Sequence, residues 1–360
     1  MHVLTAQVLQ TPECARDLDP PAWTRLIVEA RSLGLVGRLG ARLASRGLLD
    51  SVPDGPRRHL DGMARFAAKQ HADVMDEVRH VRDTLVPQGI PIVLMKGAAY
   101  VAAERAAAEG RIFEDIDLLV PENQIVAAEA ALTAAGWTRS ALSDHDTRYY
   151  YEWMHQIPPL VHVDRESVLD VHHNIVPRTA APQIDAAALV HAAEPTAEPG
   201  VYTLAPADMV LHSALHLFNE GEFDRGLRDL SDLDLLLREI GRADPGLERL
   251  RRRARTLGLD RPLGYALRLT STFFQTPLPP SGIGADSTAG LTERFLTACF
   301  RRAVLPPGMA RWPGREPVRF FLYVRGHLLK MPLRLLLPHL ATKLVAGQRD
   351  HDDGAANPMR

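Results

Sequence analysis

Hydrophobic rhythm divides this chain into three blocks. From about residue 21 to 87 apolar positions recur at intervals of three and four. Trp23, Leu26, Ile27, Ala30 and Leu33 form one such stripe, the spacing of a single helical face. Gly34, Gly47 and Pro53-Asp54-Gly55-Pro56 punctuate the block and mark its turns. Met63, Phe66, Ala67, Val74, Val78, Val81 and Leu85 predict the buried face of a long helix from about Arg57 to Leu85.

From about 88 to 176 the rhythm changes. Ile90-Pro91-Ile92-Val93-Leu94-Met95 is a short apolar run and predicts a strand. Lys96-Gly97-Ala98-Ala99-Tyr100 turns into an alanine-rich helix that runs to Glu109-Gly110. Asp115 to Val120 predicts a second strand. Pro121-Glu122-Asn123 opens another helix, with proline in the first turn and a carboxylate near its positive end, ending at Gly136. Pro159 to Asp164 and Ser167 to His172 are two more strands, and the short turn between them makes a hairpin.

From Pro206 onward the pattern is helical again, with helices over Asp208 to Phe218 and Leu227 to Ile240. Pro277 to Gly290 reads as a loop. Val318 to Leu344 predicts one or two basic, leucine-rich helices broken near Pro332 and Pro338, packed on the body with charged rims. The last residues, 346–360, read as a disordered tail.

Composition narrows the classes. The chain has 360 residues, with Lys+Arg 42 against Asp+Glu 44, so charge gives no push toward nucleic acid or membrane. Cys14 and Cys299 are too few for a disulfide framework and fit a reducing, cytoplasmic setting. No basic region followed by a long apolar core opens the sequence, so no signal peptide is expected. No apolar stretch of ~18 residues predicts a membrane span. The basic residues are mostly arginine, a codon signature of a GC-rich bacterial genome, and this singles out Lys96.

The candidate chemistry lies in the middle block. In Phe113-Glu114-Asp115-Ile116-Asp117-Leu118-Leu119-Val120, period two puts Asp115 and Asp117 on one face and Ile116 on the other. Two adjacent carboxylates at the edge of a core repel each other unless a cation lies between them. Oxygen-only ligands suit magnesium or manganese. Asp170, in Val168-Leu169-Asp170-Val171-His172, would join them if its strand neighbours theirs, and would be the natural base for a hydroxyl nucleophile. His172 shares its face. Gly97 at the strand-to-helix junction admits a close approach, and the helix start with Lys96 offers a phosphate site. Arg111 either clamps a phosphate or caps the preceding helix. His212 and His216 are spaced i, i+4 but lack the glutamate of a zinc-protease motif; they read first as buried, hydrogen-bonded structural residues and next as a helical face lining the cleft. Asp232 and Asp234 read as facing solvent.

In order and spacing these elements resemble the polymerase-beta-like nucleotidyltransferases. They resemble more closely an uncharacterised bacterial nucleotidyltransferase family with a Lys-Gly element and an Asp-Ile-Asp-Leu-Leu-Val strand. Gly89 to Gly97, Arg111, Gly136-Trp137, Leu169-Asp170-Val171-His172, His216 and Arg228-Asp229 carry the resemblance, over roughly residues 20 to 240. The superfamily's usual Gly-Ser or Gly-Gly is replaced here by Lys96-Gly97-Ala98, with no hydroxyl at the junction. The resemblance implies Asp115, Asp117 and Asp170 as metal ligands and the helix start at Gly97, with Lys96 and Arg111, as the triphosphate site. His172, His216 and Asp229 are second-rank substrate contacts.

The expectation is an α+β protein. A nucleotidyltransferase-like core with a small mixed sheet, residues 88–200, lies between an N-terminal helical region (1–87) and a C-terminal helical domain (201–345). The expected reaction is metal-dependent transfer of a nucleoside monophosphate from an NTP to an acceptor, with pyrophosphate released. The acceptor is open: small molecule, protein or RNA, with no strong nucleic-acid charge signature. A non-catalytic nucleotide- or partner-binding module and a kinase-type phosphotransferase are the alternatives.

Overall fold

A computed structural model describes residues 3–140, 144–243, 245–277, 290–305 and 315–330. The proposed loop from 278 to 289, the helix from 331 to 344 and the tail lie outside the described residues.

The fold is α+β, built on one mixed sheet of seven strands in the order β3-β4-β5-β2-β1-β7-β6. The strands are β1 (Ile92–Leu94), β2 (Ile116–Leu119), β3 (Trp137–Arg139), β4 (Leu160–His162), β5 (Val168–His172), β6 (Glu194–Pro195) and β7 (Val201–Thr203). β1 and β2 are antiparallel, with Val93 opposite Leu119. β2 and β5 are parallel, and so are β1 and β7. All of β1 and β2 is buried, as expected of central strands covered on both faces. The hairpin of β4 and β5 forms as its sequence predicts. Its turn is tied to the long helix, Asp54–Leu85. There Glu77 accepts two hydrogen bonds from the Arg165 guanidinium and one from Ser167.

Trp23, Leu26, Ile27, Ala30 and Leu33 are all buried, as their spacing requires. Phe66 departs from its stripe: it is 54% exposed. The alanine-rich helix is shorter than expected. It spans Lys96–Ala102, and Glu104, with φ of 50°, turns the chain left-handed before a short 3-10 turn at Ala106–Ala108.

Helices Pro206–Asn219, Gly226–Arg242 and Asp260–Phe274 pack against one another. The Arg315–Lys330 helix docks on the first of them. A Cβ at Gly326 would lie 2.8 Å from the carbonyl oxygen of Glu220, so this docking depends on glycine. The main apolar cluster is continuous from Val3 through the sheet to Leu322. No helix among the described residues is long and apolar enough to cross a membrane.

Candidate active site

β2 and β5 lie side by side in a register that sets Asp117 opposite Asp170. Two carboxylates far apart in sequence are thereby fixed on neighbouring strands of one face. Asp117 is 2% exposed. Its Oδ1 accepts a hydrogen bond from the Lys96 ammonium at 2.7 Å and lies 3.1 Å from Nε2 of His172. Donor atoms of Asp117, Asp170 and His172 all fall within 4.8 Å of one another. Asp170 Oδ1 is buried and has no hydrogen-bond partner among the described residues.

Lys96 reaches Asp117 from a constrained position. The Met95 N–H donates to the carbonyl of Asp117 at 2.9 Å, which fixes β1 against β2. The next residue, Lys96, has φ of 46°. A left-handed lysine is uncommon and costs about 1–2 kcal/mol, so the surrounding contacts hold it there.

Burial and neighbouring charge separate the three carboxyls. Burial alone would raise Asp117, but Lys96 and the His172 hydrogen bond outweigh it and hold the group well below the usual carboxylate range. Asp170 is pushed up to about 6 by burial and by the charge of Asp117. Asp115 precedes β2 and is raised by burial and by Asp117. Burial works against the Lys96 charge, yet Asp117 keeps its ammonium above the ordinary lysine range.

The cluster stands between two lobes of one cleft. One lobe, about 290 Å³, is lined by Asp170 and His172, by His155, His212 and Glu220, and by apolar groups such as Ile175, Val176 and Leu215. The other, about 400 Å³, is lined by Asp117, Gly97, Arg111, Arg225, Arg228 and acidic side chains including Glu114 and Asp229. Lys96, Asp115 and His216 border both. His155 and His212 are buried. Burial, helped by His172 and Lys96 respectively, lowers their pKa well below the ordinary histidine value.

The family described as uncharacterised nucleotidyltransferase matches residues 19–275. The chain belongs to this family. No curated protein and no solved structure matches it. The matched span contains both strands of the carboxylate pair and every lining residue named above.

The structure brings together most of the residues singled out by sequence. Asp117, Asp170, His172 and Lys96 touch or adjoin, while Asp115 borders the cleft outside the three-donor group. Gly97 also makes a close packing contact. A Cβ there would lie 2.6 Å from the Phe113 ring and 2.7 Å from Arg111 Nη1. Arg111 neither caps a helix nor reaches open solvent. Its Nε donates to Asp232 at 2.7 Å, its ring neighbours are Tyr100 and Phe113, and its Nη1 is buried without a partner among the described residues. His216 lies 3.6 Å from Glu220, and Asp229 accepts from Arg228.

Asp232 and Asp234 correct the sequence reading: they are 2% and 7% exposed. Asp232 binds the guanidiniums of Arg38 and Arg111, and Asp234 binds Arg238 and Thr276. Helical spacing alone put them outward because it does not reveal that Arg38, Arg111 and Thr276 arrive from other segments. Sequence reasoning missed His155, Glu220, Arg38 and Arg225. His155 follows Trp153-Met154 in a segment without periodicity, and nothing local marks it.

Proposed function

We propose that this protein transfers a nucleoside monophosphate from an NTP to an acceptor hydroxyl or phosphate. The observation that carries the reading is the registered pair of Asp117 and Asp170, whose donor atoms lie within 4.8 Å of each other at the border of the two lobes. The acceptor oxygen attacks the α-phosphorus, the bond from that phosphorus to the α,β-bridging oxygen breaks, and pyrophosphate leaves.

Asp170 takes the acceptor's proton. It lines the histidine lobe, which therefore receives the acceptor. The arginine lobe receives the phosphates. Arg111 borders it, held by its Nε hydrogen bond to Asp232, and Lys96 stands at the boundary. Lys96 and Gly97 keep the role in phosphate binding that the sequence assigns them, Gly97 by letting Arg111 sit against the helix start.

The carboxylate pair fits a divalent cation, since an orphaned buried oxygen on Asp170 and a second acidic side chain converge on one place. Magnesium or manganese bound there would offset charge on the transferred phosphoryl group. Asp115, Asp117 and Asp170 are the ligands that the family resemblance implies. The arginine lobe also carries Glu114, Glu222 and Asp224, which would repel a bare triphosphate and favour a metal complex.

ATP labelled at the α- or the γ-phosphate tests the reading. Incubation with cell extract should leave α-label on an acceptor and release γ-label as pyrophosphate. Transfer of γ-label instead would establish kinase chemistry. Nucleotide binding with no turnover across all four NTPs would leave a binding module.

A further inference from the structure

The spacing in the sequence points to an all-oxygen metal site of three aspartates. The folded chain assembles a different set. The third donor within 4.8 Å of both Asp117 and Asp170 is a ring nitrogen of His172, and Asp115 stands outside the group. Strand geometry explains this. Residues 170 and 172 share a face of β5, so His172 follows Asp170 along the strand and its ring reaches across to Asp117. His172 is 3% exposed. Two atoms of the group, Asp170 Oδ1 and His172 Nδ1, are buried without hydrogen-bond partners among the described residues. Orphaned buried polar atoms are unfavourable, and an atom of this kind on two of the three clustered residues marks a place that fits a ligand.

We infer that the cation of this site is held by Asp117, Asp170 and His172, and that the nitrogen ligand makes it select a first-row transition ion such as Mn²⁺ over Mg²⁺. The inference rests on reading the carboxylate pair as a metal site. Magnesium is a hard ion that takes oxygen ligands and keeps several of its waters. An imidazole donor shifts preference toward transition ions. Asp115, at the border of both lobes, is left free to act on substrate rather than on the metal.

The test uses the full chain, freed of metal and titrated with MnCl2 by electron paramagnetic resonance. Electron spin-echo modulation of the bound Mn²⁺ should show a directly bonded ¹⁴N nucleus. Uniform ¹⁵N labelling of histidine should replace that signal, which separates imidazole from the Lys96 amine. His172→Gln should abolish it. Displacing Mn²⁺ by MgCl2 should require at least about tenfold more Mg²⁺ in the wild type, and less in His172→Gln. Bound Mn²⁺ without nitrogen modulation, a histidine signal that survives in His172→Gln, equal affinity for the two ions, or no Mn²⁺ binding would each overturn the inference. If the variant fails to fold, the ¹⁵N-histidine result on the wild type and its Mg²⁺ competition decide. Transfer of α-label supported by Mg²⁺ at an oxygen-only site would leave nucleotidyl transfer standing and remove only the nitrogen ligand.

Discussion

Replacing Asp232 by asparagine should destabilise the protein by about 3–5 kcal/mol. The carboxylate is 2% exposed. Its Oδ1 accepts from Arg38 Nη1 at 2.5 Å and its Oδ2 from Arg111 Nε at 2.7 Å. Both guanidiniums are themselves buried, at 5% and 7% exposure. At an effective dielectric of about 20, one such pair at ~4 Å is worth ~4 kcal/mol. The amide removes the charge from two pairs and leaves two cations facing each other, with Asp229 the next carboxylate, 3.9 Å from Arg111. It keeps one acceptor oxygen, which places the expected loss near the lower end, about 3 kcal/mol. Urea unfolding followed by tryptophan fluorescence measures it, since Trp23 and Trp137 are buried; a shifted midpoint at constant slope isolates stability. The pH dependence adds a check. Burial raises the Asp232 carboxyl, but Arg111 and Arg38 outweigh burial and hold it below the usual range. A lowered folded-state pKa contributes stability above the unfolded value of about 3.9 and loses it as pH falls through the folded value. The gap between wild type and variant should therefore hold from about pH 5 to 8 and close only below about pH 4. A loss under about 0.5 kcal/mol, the scale of an exposed substitution, would refute the network and return Asp232 to the solvent-facing position that its helical spacing suggests.

Asp170→Asn should lower nucleotidyl transfer by about 10²-fold or more, the scale of a missing general base, while melting temperature holds; unchanged transfer measured with α-labelled ATP would remove Asp170 from the mechanism. Gly97→Ala should cost about 1–3 kcal/mol from overpacking against Phe113 and Arg111, and should weaken NTP binding through the displaced guanidinium, as calorimetry would read. Lys96→Met strips the buried Asp117 of its ammonium partner and should destabilise the chain in EDTA by about 3 kcal/mol. Added Mn²⁺ should recover much of that loss; a variant as stable as wild type in EDTA would show that Lys96 is not the counter-ion.

Local pattern carried the elements of the site. Alternating carboxylates in an apolar run mark β2, a Lys-Gly step after a short apolar run marks the end of β1, and the hairpin leading to Asp170 is written in its turn. These signals are readable because strand and helix periodicity depend on neighbours in the chain, and so does the α+β class that follows from them. Pairing is different. That β5 lies parallel beside β2, setting Asp170 against Asp117, was a condition of the sequence reading and became a fact only in the assembled sheet. β7 beside β1 had no legible signal, its three residues being too short to show a period. The burial of Asp232 depends on Arg38, 194 positions away, and the closest polar partner of His172 Nε2 is Asp117 on the neighbouring strand. A side chain's charge state and partners are set by whichever remote segments pack around it. The sequence by itself marked the strand carboxylates and the Lys-Gly step as candidates, and the tertiary structure alone decided which side chains meet there, including His155 and Glu220, which no local pattern marks.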